Sequence, residues 1–182
     1  TINYQVWLDT NQFDANNKDN IQTVGITDDY DEAKLEVKQS DIKAYDGKTG
    51  ADVTDKFDIS IANGVITANL KAGFTKSLGD AENTQVIDTT KFEFGRYYKF
   101  VIPAKVSDGA YDGAEIENTA AQVVNYYNPT TKKTEKPEKP TEKRVNNVPM
   151  AIQLIFGKTL NGRQLKDKEF NFVLKDEAGK VL

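Results

Sequence analysis

A lysine amine, an asparagine carboxamide and an aspartic acid can react to form an amide crosslink when all three are buried together. The amine must be neutral to attack. A protonated carboxyl can then donate a hydrogen bond to the amide oxygen and stabilise the oxyanion that develops there. Three polar residues of these types interrupt otherwise apolar strand faces in this sequence. In "GAEIENTAAQVVNYYNP", residues 113–129, two-residue alternation puts Ile116, Ala120 and Val124 on one face, with Asn118 among them. In "TVGITDDYDE", Val24, Ile26, Asp28 and Tyr30 share a face, and Asp29 points away. Lys158 continues the apolar row Ile152, Leu154, Phe156. Burial favours the neutral amine and the protonated acid, the forms this chemistry needs. Each residue also has an ordinary alternative. Asn118 could be a core amide satisfied by neighbouring backbone, Asp28 a turn-capping carboxylate, and Lys158 a side chain snorkelling from a strand end.

The elements that must hold these residues read as all-β over residues 1–128. "INYQVWLD" alternates with Ile2, Tyr4, Val6 and Leu8 on one face, and "KFDISIANGVITANL" is two alternating runs joined by the hairpin signal Asn63-Gly64. "RYYKFVIPAKV" is an aromatic strand whose Pro103 suggests an edge position or a strand end. "DEAKLEVKQS" is the one helix-like stretch, worth a turn or two. Short strands between Asp, Gly and Asn clusters favour an antiparallel β-sandwich. Residues 129–149, "PTTKKTEKPEKPTEKRVNNVP", hold no apolar side chain before Val145 and read as an extended, self-repelling interdomain linker. Alternation resumes at Met150, with Phe170, Phe172 and Leu174 aligned and a turn around Gly179, so residues 150–182 read as the start of a second β-domain.

Composition narrows the function. The 182 residues include no Cys and no His. Thiolate chemistry, His-based relays and the common zinc and haem sites are therefore excluded, and so is a disulfide staple. The formal net charge is −4, with the acidic excess in residues 1–128 and a basic excess in 129–182; this argues against nucleic acid as partner. No apolar run approaches membrane-spanning length and no signal peptide is evident. Thr1 and Leu182 both fall within strand-like patterns, so the chain is expected to be an internal fragment of a longer protein.

The blocks "VGITDDYDEAKL", "GKTGADVTDKF", "FEFGRYYKFVIPAKV" and "IENTAAQVVNYYNPTTKKTEKPEKPTEKRVNNVP" resemble the C-terminal adherence domains of Gram-positive surface adhesins, of the antigen I/II type and the related aggregation substances. The resemblance implies an immunoglobulin-like sandwich that forms an intramolecular Lys–Asn isopeptide bond with an Asp as helper. Residue by residue, it implies Asn118 as the bonded amide and Asp28 as the assisting acid, with Asp29 the runner-up. In that family the reactive Lys sits on a strand upstream of the "NYQVWLD" block, so the first staple is expected to be incomplete here. "FGKTLNGRQLKDKEFNFVLKDEAGKVL" resembles the opening of a Gram-positive pilin-type isopeptide domain, which implies Lys158 as its reactive amine and partners beyond Leu182.

Other site signals are weak. Asp14, Asn16 and Asp19 share the loop "DANNKDN" and suggest a Ca²⁺ ligand set, but the spacing misses the EF-hand pattern and a solvated turn is the simpler reading. Otherwise no cofactor is expected. The adjacent pair Asp28–Asp29 cannot flank one glycosidic bond because neighbouring strand residues face opposite ways. The expectation is therefore not an enzyme, beyond a single-turnover autocatalytic crosslink. It is the stalk or adherence region of a cell-wall-anchored Gram-positive adhesin, extracellular and mediating adhesion or aggregation, with peptidoglycan attachment through a further C-terminal region. Expected partners are a host or bacterial surface protein or glycan. The alternative is a module that recognises such a ligand through its loops.

Overall fold

The computed structural model describes residues 1–12, 18–108, 110, 114–137, 141–147, 173–175 and 177–181. It is all-β, with antiparallel pairing throughout and 3-10 turns as its helical elements among the described residues. The chain divides into two compact units, Thr1–Pro149 and Met150–Leu182.

The first unit is a sandwich of two sheets. One sheet is built on β9 (Tyr97–Val106), which carries β1 (Ile2–Asp9) along one side and both β3 (Leu35–Val37) and β4 (Lys43–Asp46) along the other. The second has the order β11 (Lys133–Glu135), β10 (Glu115–Asn128), β2 (Ile21–Tyr30), β6 (Val65–Leu70), β5 (Phe57–Ala62), with β12 (Thr141–Asn147) also on β10. A side hairpin pairs β7 (Thr75–Ser77) with β8 (Gln85–Ile87).

Alternation decides which side chains meet between the sheets. Tyr4, Val6 and Leu8 of β1 are buried opposite Ile102, Phe100 and Tyr98 of β9, and Val24, Ile26 and Ile116 face them from the second sheet. Phe57, Phe92, Tyr98 and Phe100 form an aromatic cluster in this core, with Phe92 stacked on Tyr98 at 4.8 Å. The Asn63-Gly64 turn is as the sequence indicates: Ala62 pairs with Val65, and both turn residues have positive φ (50° and 76°), as a two-residue primed turn requires.

Three expectations change. Pro103 is on the central strand of its sheet, opposite Asn3, rather than at an edge or strand end. The ladder on the other side of β9 is interrupted there, with β4 pairing through Val101 and β3 only from Ala104. That gap accommodates a residue without an N–H. The helix-like stretch is a single turn closed by Lys34 and Leu35 N–H groups on the Asp31 carbonyl, and then continues as β3. Residues 129–149, expected as a linker, carry β11 and β12, both paired with β10. Edge pairing runs on backbone hydrogen bonds and needs no apolar side chain, and Lys, Glu and Thr suit a strand that borders solvent.

In the second unit the described residues form one antiparallel bridge, Lys175 with Val181, around a turn where Gly179 has φ 81°.

Candidate functional site

Asp28 and Asn118 meet because β2 and β10 pair side by side. Ala120 is directly opposite Asp28 and Asn118 opposite Tyr30, so the two polar side chains are diagonal neighbours on the same inner face. Both are buried, at 0% and 3% exposure. Asn118 Nδ2 donates to Asp28 Oδ2 at 2.8 Å. The other oxygens, Asp28 Oδ1 and Asn118 Oδ1, are buried without a hydrogen-bond partner. Burial pushes the Asp28 carboxyl up to about 6, against the lowering effect of the Asn118 hydrogen bond, and the neighbouring Asp29 charge adds to the rise. Asp29 itself is exposed, on the opposite face of β2.

Beside this pair lies a cleft of about 360 Å³ between β1 and β10, lined by Tyr4, Val6, Trp7, Asn118, Gln122 and Arg144 among others. No lysine lines it. β1 is the terminal strand of its sheet and, among the described residues, pairs with β9 alone. The cleft thus runs along an open strand edge and reaches Asn118 from the side away from Asp28's own strand.

Gln122 is a functional neighbour that the pattern reading passed over. It lies four residues after Asn118 on the same strand, so the same alternation that flagged Asn118 could have found it. Its Oε1 accepts the backbone N–H of Asp9 at 2.9 Å and ties the end of β1 to β10. Lys158 lies outside the described residues, as do Asp14 and Asn16; Asp19 is exposed in a 3-10 turn, Lys18–Asn20. Among the described residues no group of His, Cys, Asp or Glu is placed to hold a metal ion.

The profile of the "Cell surface antigen I/II C2 terminal domain" family matches residues 1–148. The chain belongs to this family. The match ends beside the Thr1–Pro149 boundary of the first compact unit, so the family domain includes β11 and β12. Membership in a cell-surface antigen family gives the chain an extracellular, surface-protein setting. The comparison with curated proteins finds no match. Among solved structures, the chain is similar to the major pilin subunit BcpA of Bacillus cereus, with a TM-score of 0.51 and 19% identity, covering 81% of this chain and 34% of that one. It is also similar to the full-length major pilin SpaD of Corynebacterium diphtheriae, with a TM-score of 0.52 and 14% identity, covering 80% of this chain and 30% of the pilin. Domains D2 and D3 of SpaD match with a TM-score of 0.50 at 16% identity, over 79% of this chain and 45% of that one. The match thus spans less than half of each of those pilin chains, and at these identities the likeness is one of fold: an immunoglobulin-like sandwich shared with Gram-positive pilins.

Proposed function

We propose that this antigen I/II C2 domain is a tension-carrying segment of a cell-wall-anchored adhesin, and that Asn118 and Asp28 are two of the three members of a Lys–Asn isopeptide group. The observation that carries the reading is the buried 2.8 Å contact between them, with one unpartnered oxygen on each and with Asn118 lining a cleft along the free edge of β1. An ordinary core amide would have its oxygen satisfied. A lysine-bearing strand added along β1 would enter this cleft beside Asn118.

The chemistry balances without a cofactor. The neutral lysine Nζ attacks Asn118 Cγ, and the protonated Asp28 carboxyl donates a hydrogen bond to the amide oxygen as charge develops there. The amide does this after a half-turn about its terminal torsion, which exchanges Oδ1 and Nδ2 at the position facing Asp28. Collapse breaks the Cγ–Nδ2 bond, and Nδ2 leaves as ammonia with one proton passed to it from the attacking amine. The product is a secondary amide joining the added strand to β10.

Such a tie would block peeling of β1 and its neighbour under load, and would constrain the unfolded chain as a disulfide does. A second staple at Lys158, in the segment that follows the family domain, is part of the same proposal.

The test is the denatured intact mass of the chain extended N-terminally through the preceding strand. Formation of the bond lowers the mass by about 17 Da, and Asn118→Ala abolishes the loss, as does Asp28→Ala at short incubation times. A mass equal to the full sequence after long incubation, with the domain folded, would return Asn118 to the role of a buried amide. Adhesion through a bound surface protein or glycan is the accompanying proposal, and one face of the domain bears on it directly.

A further inference from the structure

The outward face of the β9 sheet is unlike the rest of this acidic domain. Alternation sends Trp7 of β1, Tyr97, Lys99 and Lys105 of β9, and Lys43 and Tyr45 of β4 to the solvent side. The register lines up Trp7, Lys99 and Tyr45 across three adjacent strands. The Lys99 ammonium lies between two rings, 5.8 Å from the Trp7 centroid and 5.5 Å from that of Tyr45. Tyr97 packs edge-on against Trp7 at 6.1 Å, yet Trp7 and Tyr97 remain 46% and 47% exposed. Large aromatic side chains this exposed on a flat strand face, and adjacent, are unusual for a surface with nothing to bind.

The charges around this row are already engaged, with one exception. Glu36 pairs with Lys105 at 3.7 Å. Asp52, which bridges to Tyr45, accepts the Thr54 N–H, and its carboxyl is held below the usual carboxylate range by Thr54 and by Lys43. Lys99 has no carboxylate partner among the described residues, although the chain carries a formal net charge of −4.

We propose that this face is a binding site for an acidic glycan, with Trp7 and Tyr45 as stacking rings and Lys99 as the counter-ion of a sugar carboxylate. A pyranose presents a flat, weakly apolar C–H face to an aromatic ring, while a uronic or sialic acid carries its carboxylate at the ring's edge. An ammonium without a carboxylate partner, held between the exposed Trp7 ring and the half-buried Tyr45 ring, matches both features within one residue's reach. A peptide partner is disfavoured by the backbone. β9 is paired on both sides along this row, so a peptide could add a strand only at the outer edge of β1, beyond Trp7 and away from Lys99 and Tyr45. The site lies on the solvent face of the sheet, whereas Asn118 and Asp28 lie between the sheets; Trp7 also borders the cleft beside Asn118, but Lys99 and Tyr45 do not, so substitutions at those two residues test the site apart from the crosslink.

Trp7 is the chain's only tryptophan, so its emission reports on this site; because Trp7 also borders the cleft beside Asn118, the Lys99 and Tyr45 variants assign a response to the outward face. The experiment titrates the full chain with 3′-sialyllactose and with a hyaluronan tetrasaccharide, using lactose as the neutral control, up to about 10 mM. The expected result is a saturable change in Trp7 emission with at least one acidic probe, weakened by added salt and absent or roughly tenfold weaker with lactose. Lys99→Met, which keeps the tryptophan and the side-chain length, should weaken acidic-probe binding by roughly tenfold while the far-UV spectrum and melting curve stay unchanged. Tyr45→Ala should weaken binding also, read by the same Trp7 signal. The proposal is overturned by a flat titration with both acidic probes, by equal response to lactose, or by an unaltered response in folded Lys99→Met. Binding of a Glu-rich peptide at Trp7 with no response to either saccharide would overturn it in favour of a protein partner.

Discussion

Asn118 and Gln122 are two carboxamides four residues apart on β10, and the fold uses them differently. The Gln122 oxygen accepts a backbone N–H from β1 and acts as a brace between sheets, whereas the Asn118 oxygen is buried without a partner next to an acid whose pKa burial raises to about 6. The acid gives the clearest prediction at this scale. Its folded pKa of about 6 lies above the ordinary carboxyl value of 3.8, so the folded state holds a proton that the unfolded chain releases between those values. Stability from this group is therefore full below about pH 4 and is lost as pH rises through about 6, by about 3 kcal/mol at most. Asp46, Asp52, Asp80 and Asp88, whose carboxyls are held low by hydrogen bonds and, in all but Asp80, by neighbouring cations, contribute with the opposite sign, present above their ordinary values and lost as pH falls. The difference between wild type and Asp28→Asn isolates the single group. In urea titrations of the uncrosslinked chain from pH 4 to 7.5, the variant should gain relative stability as pH rises. A difference that does not change with pH would mean that Asp28 is ionised throughout. Asn118→Ala removes the hydrogen bond that lowers this pKa, so in that variant the transition should move above pH 6.

At the scale of elements, β2 and β10 position the site, and a glycine allows β2 to approach β6. A Cβ at Gly25 would lie 2.1 Å from the Ala68 carbonyl oxygen and 2.5 Å from Asn69 Oδ1. Gly25 pairs with Asn69 in this ladder, so a methyl group there must push the backbone of β6 away. Gly25→Ala should cost about 1–3 kcal/mol, read as a shift in the urea midpoint; a change below a few tenths would show that β6 yields freely. β12 supplies the second test. If residues 141–147 pair with β10 as a strand, their amides on the β10 side exchange with deuterium far more slowly than those of an extended spacer. Uniform exchange within seconds across 141–147 would restore the spacer reading. The sequence offers little warning here, because strand patterning is read from apolar alternation, and an edge strand whose one apolar residue is Val145 has none to show.

At the scale of the whole molecule, a staple from a strand beside β1 to Asn118 would close a loop of more than a hundred residues. Chain-entropy arguments put the stabilisation of such a closure at about 4–5 kcal/mol. The extended chain should therefore melt well above its Asn118→Ala variant, by more than the local loss of one buried amide explains; equal melting temperatures with the bond present by mass would show that the tie carries load without adding equilibrium stability. The sequence by itself determined the all-β class, the Asn63-Gly64 turn, the inner faces of β1, β2 and β10, and the polar residues set into them, because side-chain direction alternates with a period of two whatever the tertiary context. Only the tertiary structure decided that Asp28 and Asn118, ninety residues apart, are diagonal neighbours at 2.8 Å, that β9 with its Pro103 is central, and that a cleft opens beside β1. Those facts depend on which strands pair and in what register. Pairing is set by long-range burial and backbone hydrogen bonding across the sandwich, which no local pattern encodes.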